Sequence, residues 1–403
     1  MTISEQMYLA AASRPLRGTL LLLLFLGSYY FGNPFSATPA VPGKPTKEDG
    51  TSWTSWVADS EQAKSPASNS SLKLNELHEN GPRIRQATMI YETDKFNSVY
   101  ERAVDSHLRH GERWNNPTHI LRHDIVDAGF FNKPAFLLGI VINEMAKPYG
   151  KRADWLVYVA WAVAGLPRWF DADTVLLNNE VSWSLFLPPP EFNEINFLAT
   201  KDQNGFNAGM FFIRICEWSV NMLSEVVSLR QFKPTLELPF YDQSAMLWAI
   251  ERPGYEEHAV YQPHNWWNSF GVQGQPMPTD RFLLHFAGVD CCGGPESKGT
   301  IMTRWLDKMD INPDEYSTPL DDLTLPAEVK EFWSNLITAR KTMETADQWS
   351  MDNKYEGNDL KAARVELRQT MMSEADDFAK INAGVKRMEN IMSDASKRVD
   401  GDR

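Results

Sequence analysis

The spacing of apolar positions alternates between strand-like and helix-like along residues 83–325. Short continuous apolar runs favour buried strands, whereas apolar positions three or four residues apart favour helices. In chain order, the pattern predicts a strand over 87–92, a helix over 96–110, a strand over 118–121 and a helix over 133–145. A further strand leads to residue 171. Strands that alternate with helices are typical of an α/β fold with a mostly parallel central sheet.

Outside this region the pattern changes on both sides. Residues 36–82 are rich in Pro, Ser, Thr, Lys and Glu and lack apolar periodicity, which indicates a flexible stem. This stem includes a tripeptide for N-glycosylation at Asn69. Residues 326–403 carry Ala, Glu, Lys, Arg and Met at helical spacing, so they predict a helical region that follows the α/β domain.

The N-terminus has the pattern of a membrane-targeting segment. Arg14 and Arg17, near the end of segment 1–17, precede the apolar segment 18–35. Its apolar run is shorter than the roughly 20 residues of an average spanning helix, which suits a thinner early-secretory membrane. Because basic flanks stay in the cytoplasm, we predict a cytoplasmic tail and a single-pass type II signal anchor, with the remaining chain in the lumen. A cleaved signal peptide is the alternative.

Composition and charge narrow the classes of function. The chain has 403 residues, of which 43% are hydrophobic, so it can bury a sizeable core. Its net charge of -13 argues against nucleic-acid binding by the whole chain. The three cysteines, Cys216, Cys291 and Cys292, form neither a disulfide framework nor a zinc-ligand spacing.

Two acids stand one residue apart at the end of a predicted strand. Asp171 and Asp173 follow the aromatic pair of 169–170 and precede an apolar run. Buried carboxylates are unfavourable unless hydrogen bonds or a cation compensate them. Mg²⁺ or Mn²⁺ suits such acids, because these ions prefer oxygen ligands and often bridge carboxylates to phosphates. The alternative is that both acids only cap the turn after the strand.

A second polar segment precedes the apolar run over 210–213. Asp202 is acidic, Gly205 and Gly209 allow close approach of the backbone to a ligand, and Asn207 offers an amide to sugar hydroxyls. A plain turn followed by a core strand is the alternative.

Two further polar positions lie later in the chain. Asp242 and Gln243 stand where a helix is predicted to begin, and an acid there also suits the helix N-terminus. His285 lies between apolar neighbours, either as a packed core histidine or as an imidazole ligand to a metal.

Together and in this order, the segments resemble glycosyltransferase family 34, which contains Golgi α-1,2-galactosyltransferases, α-1,6-mannosyltransferases and the related xyloglucan xylosyltransferases. The resemblance rests on the segments 169–174, 204–209, 242–245 and 285–288. It implies a GT-A catalytic domain over 83–325, a nucleotide-sugar donor, a glycan acceptor, Mn²⁺ and retention of anomeric configuration. It also implies a Golgi membrane location, with the catalytic domain luminal.

The resemblance also implies roles for single residues. The implied metal ligands are Asp171, Asp173 and His285. The implied reaction-centre residues are Asp242, Gln243 and Asn207, and the implied donor-binding residues are Asp171, Asp202, Gly205 and Gly209.

Two features depart from the family's pattern. Relatives carry a basic residue soon after the segment that resembles 285–288, whereas Lys298 is the nearest candidate here. Residues 158–168 are an additional segment, either a genuine loop or longer strand pair, or a retained intron in the gene model.

These departures and the C-terminal helices motivate a second hypothesis, a catalytically weak partner subunit of a Golgi transferase complex. A two-acid glycosidase is disfavoured, because acids one residue apart suit a shared metal better than opposite faces of a sugar.

Overall fold

The computed structural model describes residues 81–90, 98–127, 129–159, 173–270, 281–287, 296–355 and 357–401. The predicted tail, the anchor over 18–35 and nearly all of the stem therefore lie outside the described residues, as do Asp171 and most of the additional segment. Within the described ranges, no helix combines the length and apolar character needed to cross a membrane.

The central sheet has six strands in the order β2-β1-β3-β6-β5-β7. Their bounds are β1 Ile84–Met89, β2 Thr118–Leu121, β3 Trp155–Val159, β5 Phe197–Asp202, β6 Gly205–Arg214 and β7 Ala259–Tyr261. Strand β1 is parallel to β2 and β3, and β5 is parallel to β7, but β6 is antiparallel to both of its neighbours. Five of the six strands therefore run in the same direction, which confirms the prediction of a mostly parallel sheet. Only β6 is reversed, because β5 and β6 form a hairpin.

A second, small sheet was not predicted from the sequence. It contains β4 Thr174–Leu176, β8 Ser269–Phe270 and β9 Leu283–His285 in the order β4-β9-β8. Each of these strands has only two or three residues, which is too short for a periodic pattern to predict. Strand β4 runs antiparallel to β9, with Thr174 opposite His285.

Nine helices complete the described part of the chain. The first six are α1 Ser98–Arg113, α2 Asn132–Met145, α3 Glu217–Phe232, α4 Tyr241–Ile250, α5 His264–Trp267 and α6 Lys298–Ile311. The last three are α7 Leu325–Asn353, α8 Asn358–Ser373 and α9 Phe378–Gly401. The predicted early helices are present within about three residues of their expected bounds, and the predicted C-terminal helical region is helical.

The two faces of the central sheet bury different cores. Alternate residues of β6 point to opposite faces, as the two-residue period of a strand requires. Phe211 lies in one core with side chains of α2, α3 and α4. Phe212 lies in the other core with Trp183 and with Phe332 of α7, Leu367 of α8 and Met388 of α9. The C-terminal helices therefore pack in the same core as one face of the sheet. The site described below lies near the N-terminal end of β6.

Candidate active site

The antiparallel pairing of β4 with β9 brings Asp173 beside His285. Asp173 directly precedes β4, and its carbonyl oxygen accepts a hydrogen bond of 2.6 Å from the backbone N–H of Phe286. The Oδ1 atom of Asp173 lies 3.0 Å from Nε2 of His285, and both side chains are fully buried. The structure thus joins two of the three metal ligands expected from the resemblance, while Asp171 lies outside the described residues.

Lys298 lies on the other side of the same carboxylate. It is the first residue of α6, it is 2% exposed, and its Nζ lies 2.5 Å from Oδ2 of Asp173. Burial alone would raise the pKa of Asp173, but the adjacent Lys298 ammonium opposes burial, and that pKa lies well below its usual range. Asp173 is therefore a charged carboxylate, and Lys298 contacts it directly.

A chain of hydrogen bonds continues from His285 to strands β5 and β6. The Nδ1 atom of His285 lies 2.7 Å from Oδ1 of Asn268. The Nδ2 of Asn268 donates to Oγ1 of Thr200 at 2.6 Å and to Oδ1 of Asn207 at 3.2 Å. The Nδ2 of Asn207 in turn donates to Oδ2 of Asp202 at 2.8 Å.

We call this set the polar network; its members are Asp173, Lys298, His285, Asn268, Thr200, Asn207 and Asp202. It contains four residues that the sequence analysis proposed for the site. It also contains Asn268 and Thr200, which sequence reasoning missed. The available signal for Asn268 was weak: a single amide that follows two buried tryptophans at the end of α5.

Glycine is required at the two predicted positions for different structural reasons. A Cβ at Gly209 would lie 2.4 Å from Cε1 of His285 and 2.8 Å from Oδ1 of Asn207, so the imidazole packs directly on this backbone. Gly205 has a φ of +99°, the left-handed region that favours glycine, and it closes the turn between β5 and β6. Gly209 thus makes room for a site side chain, whereas Gly205 shapes the hairpin.

The N-termini of α2 and α4 meet strand β6 at Ala208. Oδ2 of Asp242 lies 2.7 Å from Nζ of Lys133, and this Nζ also donates to the carbonyl of Ala208 at 3.1 Å. Oε1 of Gln243 accepts a hydrogen bond of 2.9 Å from the N–H of Ala208. Asp242 and Gln243 are therefore held one residue away from Asn207 and Gly209 in the strand. Lys133 had no motif around it, and sequence reasoning missed it.

Next to this contact the backbone is strained. Tyr241 has a φ of +50°, which is uncommon for a side chain of this size, and its ring stacks on Phe130 with centroids 4.6 Å apart. Strained backbone of this kind is found mostly at functional sites, where surrounding contacts maintain it. The strain here immediately precedes Asp242.

The distance between Asp173 and His285 is compatible both with a direct polar contact and with two neighbouring ligands of one metal ion. Ligands of an octahedral Mg²⁺-like ion with bonds of about 2.1 Å are about 3.0 Å apart along an edge, which is the distance from Asp173 Oδ1 to His285 Nε2. Neither atom has a hydrogen bond with the described residues. The described ranges contain no cluster of three or more His, Cys, Asp or Glu side chains that could hold a metal ion.

Two buried histidines of α1 support β4 and the loop after it. Nε2 of His107 lies 3.2 Å from Oγ1 of Thr174, and Nε2 of His110 lies 2.8 Å from the carbonyl oxygen of Val181. Burial lowers the pKa of His107 to about 4 and that of His110 to about 3. Both rings are thus neutral at physiological pH.

We expect acidification to destabilise the protein through these histidines. Below about pH 6.5 the unfolded rings bind protons and the folded rings do not, so the free energy of unfolding decreases as the pH is lowered. The loss is roughly 2 kcal/mol for each histidine at about pH 5. Denaturant unfolding at neutral pH and at about pH 5 measures this loss. The double variant His107→Gln and His110→Gln should flatten the difference, whereas His123→Gln, at an exposed position, should retain it. An unchanged pH dependence in the double variant would contradict the assignment.

Comparison with known protein families finds a match over part of the chain. Residues 190–295 match the model of the galactosyl transferase GMA12/MNN10 family, glycosyltransferase family 34. This match confirms the family expected from the sequence, and it spans three of the four motif segments; the segment with Asp171 and Asp173 lies before it. No curated protein matches the chain.

Two solved glycosyltransferases are similar at low identity. One, involved in the glycosylation of the major capsid of PBCV-1, is 13% identical with a TM-score of 0.42, over 56% of this chain and 100% of that chain. The other, GlyE of Streptococcus pneumoniae, is 11% identical with a TM-score of 0.33, over 60% of this chain and 66% of that chain.

Proposed function

We propose that this chain is a retaining, Mn²⁺-dependent glycosyltransferase that moves a galactose or mannose from a nucleotide-sugar to a glycan acceptor. The family match supports the reaction class. The observation that supports the rest is the polar network, because it brings the buried side chains of Asp173, His285 and Asn207 together with the half-buried Asp202. Asp242 and Gln243 contact the same strand at the neighbouring residue. A mixed central sheet and a small sheet that supports Asp173 and His285 are consistent with a GT-A arrangement.

Asp173 and His285 are the described residues that would hold Mn²⁺. When bound, the ion supplies Lewis-acid neutralisation of the leaving diphosphate. Lys298 fixes Oδ2 of Asp173 at 2.5 Å and so leaves Oδ1 directed at His285. The pair is thereby preorganised, so little rearrangement is needed to form the site.

Asp242 and Gln243 would act at the sugar. Transfer that retains the anomeric configuration passes through a cation-like centre, which a nearby carboxylate stabilises. Lys133 holds the carboxylate of Asp242, and the N–H of Ala208 holds the amide oxygen of Gln243. Their orientation is thus set by contacts with α2 and β6. We assign no covalent nucleophile.

The proposed location is the Golgi membrane, with the catalytic domain in the lumen. Arg14, Arg17 and the apolar segment 18–35 support this orientation. In sealed microsomes, a C-terminal tag should be protected from protease while the N-terminus is accessible. A secreted form that begins near Ser36 would show a cleaved signal peptide instead.

A donor screen tests the proposed activity. The full chain is incubated with UDP-galactose, GDP-mannose or UDP-xylose, with and without Mn²⁺, and donor turnover is measured. We expect Mn²⁺-dependent turnover of a hexose donor. Turnover that is independent of metal would contradict the metal assignment, and the absence of turnover with every donor would contradict the activity.

One observation favours the second candidate, a catalytically weak partner subunit. The ammonium of Lys298 already neutralises Asp173 without a metal ion. A partner subunit would bind donor or a second transferase without turnover, so co-purification together with an inactive screen would favour it.

A further inference from the structure

We propose that Asn268 is a positioning residue that keeps the proton of His285 on Nδ1, so that the lone pair on Nε2 faces the metal position beside Asp173. The inference rests on the proposed metal-dependent function. Asn268 is fully buried at the end of α5, and it contacts both His285 and strand β6. Residues that orient a metal-binding histidine through its other nitrogen are a general feature of metal sites.

The argument begins at Asn207, whose orientation its neighbours determine. The backbone N–H of Gly209 can only donate, and it lies 2.9 Å from Oδ1 of Asn207. The carboxylate of Asp202 can only accept, and it lies 2.8 Å from Nδ2 of Asn207. A donor on one side and an acceptor on the other allow one assignment of the amide oxygen and nitrogen.

The orientation of Asn207 then determines that of Asn268. The Asn268 atom that lies 3.2 Å from the oxygen of Asn207 must be the amide nitrogen, since two amide oxygens would repel each other. The other terminal atom of Asn268 is therefore the oxygen, and it lies 2.7 Å from Nδ1 of His285. An amide oxygen accepts hydrogen bonds only, so Nδ1 of His285 must carry the hydrogen.

This tautomer has a consequence at the opposite nitrogen. In a neutral ring with hydrogen on Nδ1, Nε2 carries a lone pair. That lone pair faces Oδ1 of Asp173 at 3.0 Å, so two buried acceptors meet. A positively charged group that binds both atoms removes the repulsion. A divalent cation would do so if Nε2 and Oδ1 were both its ligands.

Without Asn268 the hydrogen is no longer held on Nδ1. It can move to Nε2 and form a hydrogen bond with Oδ1 of Asp173. That bond would occupy both atoms that face the metal position. Loss of Asn268 is therefore expected to weaken metal binding even though Asn268 does not touch the metal.

The experiment compares the full chain with its Asn268→Leu variant. NMR of ¹⁵N-labelled histidine rings, recorded without metal, reports which ring nitrogen carries hydrogen; the His285 signal is assigned by its loss in His285→Gln. We expect an Nδ1–H ring in the wild type and an Nε2–H ring in Asn268→Leu. Calorimetry should show Mn²⁺ affinity weakened roughly 10–100-fold in the variant.

Two further variants separate positioning from general loss of structure. Asn178 is also buried, at 5% exposure, and donates to the carbonyl of Thr318 at 2.9 Å outside the polar network. Asn178→Leu should lose stability yet keep the wild-type tautomer and Mn²⁺ affinity. Asn268→Asp keeps an oxygen acceptor and should retain the Nδ1–H ring, so it decides the question if Asn268→Leu does not fold.

The outcomes are distinguishable. An Nδ1–H ring in Asn268→Leu, an Nε2–H ring in Asn268→Asp, or an equal loss of affinity in Asn178→Leu would overturn the proposal. A wild type that binds no Mn²⁺ would refute the metal-dependent function, and with it the role of Asn268 toward a metal, whatever tautomer the ring shows.

Discussion

Replacing Asp173 with alanine is expected to lower the free energy of unfolding by about 3–5 kcal/mol and to abolish Mn²⁺ binding. The carboxylate is fully buried, and its Oδ2 lies 2.5 Å from Nζ of Lys298, which is itself 2% exposed. The variant therefore leaves a buried ammonium without this counter-charge. Denaturant unfolding measures the stability, and calorimetry measures Mn²⁺ affinity.

An exposed acid provides the matched control. Asp310 forms an ion pair of 2.7 Å with Arg102, but its side chain is 61% exposed. Asp310→Ala should therefore change stability by less than about 1 kcal/mol. The double variant Asp173→Ala and Lys298→Met should recover most of the lost stability, because removing both charges leaves no buried ion, yet it should not bind Mn²⁺. Equal stability of Asp173→Ala and Asp310→Ala would contradict the importance of the buried pair.

The second large effect is expected for Gly209→Ala. The added Cβ would lie 2.4 Å from Cε1 of His285 and 2.8 Å from Oδ1 of Asn207. Both side chains are buried and hydrogen-bonded, so neither can move aside without breaking the polar network. We expect a loss of stability of about 3 kcal/mol, at the upper end for overpacking. Mn²⁺ affinity should fall as well, because the imidazole is displaced.

The control for this change is a glycine with space around it. A Cβ at Gly150 would meet nothing within 4 Å, so Gly150→Ala should be close to neutral. Adding His285→Ala to Gly209→Ala removes the clashing ring, and the two changes should then be less destabilising together than their sum. Simple additivity, or a neutral Gly209→Ala, would show that the ring does not rest on this backbone.

The part of the site whose residues lie close together in the sequence was predictable. Asp202, Asn207 and Gly209 lie in one short segment, and the β5–β6 hairpin brings them together through local pairing. The strand-helix order was predictable from apolar spacing for the same reason. These features depend on neighbours in the sequence, which a single chain displays directly.

The remaining contacts depend on tertiary pairing and left no local signal. Strands β4 and β9 are three residues each, and their antiparallel pairing joins Asp173 to a distant histidine. Lys133 looks like an ordinary basic residue at a helix start, and Lys298 stood out only as the nearest base after segment 285–288, yet each contacts a buried carboxylate. The insertion of the reversed strand β6 between β3 and β5 likewise follows from pairing across the whole sheet, and strand alternation alone did not predict it.

Strand β6 also limits how the gene can vary in length. The side chain of Asn207 belongs to the polar network, and the absence of a side chain at Gly209 leaves room for His285. The backbone of Ala208 between them contacts Lys133 and Gln243. Inserting or deleting one codon here would turn each following side chain to the opposite face of the sheet. The polar network and the contacts of Ala208 with Lys133 and Gln243 would then be lost together. Length changes among natural variants of this protein should therefore fall outside residues 205–214, whatever substitutions the strand accepts.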